Sequence, residues 1–160
     1  MNNVIRAIKK IKEEKPTVYQ GKGNFAELTV TLNQGMNVDA IKSVADKHEI
    51  VLPDEYVVLL SFSNGISFFE HGDCKFYSLE DALSVGIDEW MREGYVCVAR
   101  YYEDSIYLQC DNNERNVFIS EEGFSKLRSM KMSLGAFLDA SLCSGFSYFW
   151  LWGTETYDLY

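Results

Sequence analysis

LPDEYVVLLSFSNGISFF, residues 52–69, decides how the rest of the chain is read. Pro53 lacks a backbone N–H and has a fixed φ, which suits the first position of a helix, where that donor would go unused. Asp54 and Glu55 follow where the helix dipole favours negative charge. Tyr56, Val57, Val58, Leu59, Leu60 and Phe62 then wrap nearly the whole circumference, so the pattern predicts a short helix buried on most sides. Asn64 and Gly65 tolerate the left-handed conformation that ends a helix, and Ile66, Phe68 and Phe69 open a strand.

On the N-terminal side, Val4, Ile5, Ile8 and Ile11 share a face of a helix over residues 3–14 that ends before Pro16. Its lysines point away from that face, as in a docking helix with a solvated basic side; a membrane-surface helix is the competing reading. FAELTVTL, residues 25–32, reads as one short strand. NVDAIKSVADKHEI reads as a helix with Asn37 as N-cap and Asp39 in its first turn. On the C-terminal side, His71-Gly72-Asp73 is a turn and CKFYS the hairpin partner of the preceding strand. Ser78 caps a helix beginning LEDALSV, with Asp81 at its third position, and IDEWMREG extends it or forms a second turn past Gly86. YVCVARYY (95–102), SIYLQCD (105–111) and NVFIS (116–120), separated by acidic turns, have the pattern of an antiparallel meander. Ser133 caps a last helix, LGAFLDASL. The expected fold class is therefore α+β, a single domain with a mostly antiparallel central sheet flanked by helices.

The chain has 160 residues, 47% of them hydrophobic and 14% aromatic, enough for one core. With two prolines and no low-complexity run, nothing marks a linker, and residues 1–160 are read as one domain. The net charge of -9 argues against nucleic acid as a direct ligand, since phosphate binding depends on clustered Lys and Arg. Residues 1–22 carry six bases against two acids, so the +4 there leaves -13 on the remainder. A body that acidic steers cationic partners, a basic nuclease among them, although an acidic soluble surface needs no such explanation. MNNVIRAIKKIKEEK lacks the apolar core of a signal peptide and FSYFWLW (146–152) is too short to cross a bilayer, so a cytoplasmic location is expected, with no membrane contact. Cys74, Cys97, Cys110 and Cys143 have no CxxC spacing and are read as free buried thiols.

A search for catalysis fails on spacing. His48 and His71 are the only histidines, and Cys74 with His71, three residues apart in a turn, is poorly placed as nucleophile and base. No paired Cys or His ligands suggest zinc, and GKGNF lacks a phosphate-loop pattern, so no cofactor and no metal are expected. The carboxylate pairs Asp54/Glu55, Glu80/Asp81, Asp88/Glu89, Glu103/Asp104 and Glu121/Glu122 read as caps or solvated turns rather than glycosidase pairs. Acid-rich turns interleaved with Tyr101, Tyr102 and Tyr107 could form a negative, aromatic recognition surface; ordinary strand packing is the plainer reading of those tyrosines.

Ile50, Leu52, Pro53, Asp54, Tyr56, Leu59, Leu60, Asn64 and Gly65 stand in an order that resembles the SUKH superfamily, bacterial toxin-immunity proteins and fungal regulators of cell-wall assembly. YEDSIYLQCD (102–111), VFIS (117–120) and SLGAFLDASL (133–142) resemble its later strands and closing helix, so the likeness covers roughly residues 38–142. It leaves residues 1–35 as a variable N-terminal helix and strand and 143–160 as an aromatic tail. The family commonly has Gly-Asp where Glu103-Asp104 stands here, keeping the acid and losing the glycine. The resemblance implies a non-enzymatic protein-binding domain: an immunity protein for a cationic toxin domain, or alternatively a cytoplasmic scaffold or regulator. The expected partner contacts are Glu103, Asp104, Asp111, Tyr101 and Tyr102, with His71, Asp73 and Trp90.

Overall fold

The computed structural model describes residues 1–14, 17–21, 24–70, 72–85, 93–120 and 126–151. Helix α1 (Asn2–Glu13) buries Val4 and Ile8 and leaves its lysines outside. Strands β1 (Thr17–Gly21) and β2 (Asn24–Leu28) form a separate antiparallel hairpin. The larger sheet has, among the described residues, seven strands in chain order: β3 (Val30–Leu32), β4 (Ile66–Phe68), β5 (Cys74–Phe76), β6 (Tyr95–Tyr101), β7 (Asp104–Gln109), β8 (Val117–Ser120) and β9 (Arg128–Ser129). Every pairing is antiparallel. Between the strands come α2 (Val38–Lys47), α3 (Asp54–Phe62) and α4 (Leu79–Val85), and α5 (Leu134–Cys143) follows the sheet. One contiguous core joins the inner sheet face to residues of all five of these helices, so the α+β reading holds.

The stretch 52–69 behaves largely as its chemistry requires. Pro53 is the N-cap rather than the first helical residue of α3, and Tyr56, Leu59 and Leu60 are buried, while Val58 is 38% exposed, so burial is less complete than the sequence suggests. The helix start is closed from a distance. The Asp54 N–H donates to Asn113 Oδ1 at 2.8 Å, and Asn113 Nδ2 donates to Asp54 Oδ2 at 3.3 Å. Glu55 Oε2 accepts the Gly135 N–H of α5 at 2.8 Å, placing a carboxylate at a second helix start, where the dipole favours it. At the other end Asn64 and Gly65 divide the work. Gly65 takes the left-handed turn (φ 107°), and Asn64 Oδ1 accepts the Leu79 N–H at 2.8 Å, capping α4.

Two sequence expectations change, and the structure shows how the aromatic run packs, which the sequence left open. FAELTVTL is two strands, because Leu28 ends the small hairpin and Val30 begins pairing with Phe68, with the Thr29 carbonyl accepting the Phe69 N–H at 3.0 Å. Cys143 is exposed, unlike the other three free thiols, because it stands at the outer side of the last turn of α5. The 146–152 run covers the core through residue 151: Phe146 is buried, packing on Phe68 at 4.4 Å between ring centroids, and residues Phe149–Leu151 form a short 3₁₀ turn. The IDEWMREG reading, Pro16 and the acidic pairs at 88–89 and 121–122 lie outside the described residues.

Candidate partner-binding site

The corner where β5, β6 and β7 end is set by one irregularity in β6. Counted by simple alternation from buried Val96, Val98 and Arg100 would face inward and Tyr101 outward. The register instead shifts between Cys97 and Ala99: Val96 pairs with Leu108 and Cys97 with Tyr107, but Ala99 already pairs with Ile106. This β-bulge resets the alternation, so Ala99 and Tyr101 turn into the core and Arg100 turns out. Tyr101 then lies opposite Asp104 across a two-residue turn made of Tyr102 and Glu103. Tyr102 carries the positive φ of that turn (57°). Glu103 does not, and a carboxylate therefore stands at the hairpin tip without the strain that a glycine would relieve there.

Tyr101 is 2% exposed and anchors an aromatic cluster from beneath. Its hydroxyl donates to the Ser147 carbonyl at 3.0 Å, and its ring lies 5.9 Å from Phe137, 5.0 Å from Trp150, 6.0 Å from Tyr148 and 5.5 Å from Tyr102. Tyr148 in turn lies 5.4 Å from Tyr102 and 5.2 Å from Trp150. Tilted and edge-on pairs of this kind suit the aromatic quadrupole and hold the rings in place. Above them opens a depression of about 440 Å³ lined by Asp73, Arg100, Tyr102, Glu103 and Tyr148. Two hydrogen bonds fix its rim: the Tyr102 N–H donates to the Asp73 carbonyl at 2.7 Å, and the Arg100 side chain donates through Nε to the Tyr102 carbonyl at 2.9 Å.

Acidic character and burial show in the ionisation of the walls. Burial pushes the Tyr102 hydroxyl up, with the neighbouring Cys74 and the Asp73 charge adding to it. Tyr148 is raised first by burial and then by the charges of Asp104 and Glu103. Both phenols therefore stay protonated at neutral pH and offer O–H groups and ring faces. Cys74, on the floor of β5, is pushed up to about 12, chiefly by burial, so it is a thiol rather than a nucleophilic thiolate. Among the described residues no group of three or more His, Cys, Asp or Glu is placed to hold a metal ion. No helix among them is long and apolar enough to cross a membrane.

The expected contact residues thus separate. Asp73, Tyr102 and Glu103 come together at one depression. Tyr101 and Asp104, 2% and 8% exposed, point inward from the same turn and shape the depression from below, and Asp104 makes its own contacts within the fold. Asp111 is exposed but sits past the far end of β7, roughly 20 Å along the strand from Asp104. His71 and Trp90 lie outside the described residues. Two lining residues were not anticipated. Arg100 is turned outward by the bulge, which no local sequence signal announced, and Tyr148 comes from the aromatic tail, whose composition did not say where it packs.

In class the protein is an α+β domain: a chain-ordered antiparallel meander covered by helices, with a polar-aromatic corner at one sheet end. The particular family follows from the sequence match. The model of the SMI1 / KNR4 family (SUKH-1) matches residues 35–140, about two thirds of the chain, and the protein belongs to that family, which includes immunity proteins. It is also similar to the uncharacterized protein YobM of Bacillus subtilis (strain 168), with 21% identity over 178 aligned positions that cover 100% of this chain and 96% of the relative. Asp73, Arg100, Tyr102 and Glu103 fall inside the family match, whereas Tyr148 falls beyond its end.

Proposed function

We propose that this protein is a non-enzymatic immunity protein of the cytoplasm that binds a cognate toxin domain, a basic nuclease being the partner its charge suits, and blocks that domain's active site or substrate path. The observation that carries this reading is the depression at the β5–β6–β7 corner: acidic, aromatic, and built on a scaffold whose family includes immunity proteins. A net charge of -9 supports fast, salt-sensitive association with a cationic partner. The contact set is centred on Asp73, Tyr102 and Glu103, with Tyr101 and Asp104 acting through the shape they give the turn, and with Asp111, His71 and Trp90 as further contacts.

Co-expression tests it. A toxin domain encoded beside this gene should kill cells when produced alone and leave them viable when this chain is produced with it. Glu103→Lys should weaken protection and slow complex formation, while Asp139→Lys, on the exposed side of α5, should leave both unchanged. Protection that is equally insensitive to both substitutions, or a toxin that kills regardless of this chain, rules the proposal out. A scaffold or regulatory role would instead show as copurification of a non-toxic cellular protein whose binding Glu103→Lys abolishes.

A further inference from the structure

We infer that the depression at this corner takes an arginine side chain of the protein partner, with the guanidinium lying against the Tyr102 and Tyr148 rings and its N–H groups reaching Asp73 and Glu103. This deepens the immunity reading, on which it depends for the source of the arginine.

The charge balance selects a cation. Asp73 and Glu103 line the depression and Asp104 lies in the turn beneath, against Arg100 as the one lining cation among the described residues. Arg100 is tied to the turn through its Nε–H, which donates to the Tyr102 carbonyl at 2.9 Å, and one cation balances only one of the two flanking carboxylates. The tyrosine rings add the negative faces of their quadrupoles, which attract a cation and repel an anion. The two acids also approach from different hairpins, Asp73 from the β4–β5 turn and Glu103 from the β6–β7 turn, so they flank an opening rather than one another.

The shape and surface select guanidinium over ammonium. A guanidinium is planar, weakly hydrated and able to stack on an aromatic ring while donating in its own plane. An ammonium is compact and strongly hydrated, and it gains less from the walls that this ring pair, packed together at 5.4 Å, gives the depression. The rings are held in advance by Tyr101 and Trp150, so little side-chain freedom is lost when the ligand arrives. Arginine is also the cation most often found at the energetic centre of protein interfaces, beside tyrosine and tryptophan.

The full 160-residue chain, labelled with ¹⁵N, can be titrated with Nα-acetyl-arginine amide, its lysine counterpart and the neutral isostere Nα-acetyl-citrulline amide while amide shifts are followed. The arginine compound should move the amides of Tyr102, Glu103 and Tyr148 saturably, the lysine compound more weakly, and the citrulline compound hardly at all. Glu103→Gln and Tyr148→Leu, each keeping a dispersed spectrum, should weaken the arginine compound about fivefold, the scale of one charge-assisted contact or one ring contact. Equal binding of citrulline or lysine overturns the inference, as do shifts spread evenly over Asp111 and Asp139, or Glu103→Gln binding as the parent does. Arginine binding that survives while the chain fails to neutralise any toxin would remove the immunity reading alone. Neutralisation without arginine binding would remove this inference alone.

Discussion

Tyr56 belongs to the stretch that sets the fold, yet its hydroxyl is fully buried and finds no hydrogen-bond partner among the described residues. A buried polar group left unpaired costs about 1–3 kcal/mol, so Tyr56→Phe is expected to leave stability unchanged or raise it by about 1 kcal/mol, read from urea unfolding. A clear loss would show that the hydroxyl is satisfied through an ordered water. The thiols make a second residue-level prediction. Burial raises Cys74 from 9.0 to about 12, and Cys97 and Cys110 from 9.0 to about 11. Below pH 9 these groups are protonated folded or unfolded, and their contribution is fully present. Above pH 9 the unfolded chain gives up protons that the native chain keeps, so stability should fall as pH rises from about 9 to about 12. Unfolding midpoints at pH 7.5 and 10.5 check this, and Cys74→Ala should lessen the difference. At neutral pH a thiol reagent should label Cys143 in the native protein and the other three only after unfolding. The burial of Cys74, Cys97 and Cys110 could be read from their apolar neighbours; the exposure of Cys143 depends on which side of α5 meets the core, which the local sequence did not settle.

Elements in this fold are closed by one another more than by their own ends. Residues 33–36 run across the C-terminal end of α3: the Met36 N–H donates to the Leu60 carbonyl at 3.0 Å, and Ser63 Oγ donates to the Asn33 carbonyl at 3.0 Å. Gly35 permits the approach, since a Cβ there would lie 2.1 Å from the Ser61 carbonyl oxygen. Backbone cannot yield as a flexible side chain can, so Gly35→Ala is expected to cost about 1–3 kcal/mol, seen as a lowered Tm. Gly72, whose added Cβ meets nothing within 4 Å, should tolerate alanine at the cost of its left-handed φ (67°) alone. Element types were legible because 3.6-residue and two-residue hydrophobic periods and Ser or Asn caps are local signals: Asn37, Ser78 and Ser133 each accept the hydrogen bond expected of them. The bulge at Val98 was not legible. It depends on how Cys97 and Ala99 meet the neighbouring strand, and it alone decides whether Tyr101 is contact or core.

For the whole molecule, charge and architecture act together. The basic surface of α1 and the acidic remainder give the chain two electrostatic faces, and association with a cationic partner should slow as salt rises from 50 to about 300 mM, where screening shortens the reach of exposed charge. Stopped-flow association rates measure this directly, and Glu103→Lys should flatten the salt dependence as well as lower the rate. The α+β class and the meander followed from the order of patterned segments, which is why the family likeness and the fold agree. The acidic turns were legible as candidates, but which of them share one corner is a matter of strand pairing, and Asp73 met Glu103 only through β5 and β6. The aromatic cluster at that corner has a further use as an optical element. Tyr101, Tyr102 and Tyr148 lie within about 6 Å of one another and Trp150 lies 5.0 and 5.2 Å from two of them, distances at which excitation passes from tyrosine to tryptophan efficiently. Light absorbed by these tyrosines should therefore pass to Trp150, and the difference between the parent spectrum and that of Trp150→Phe should give an unlabelled signal for any molecule that settles there.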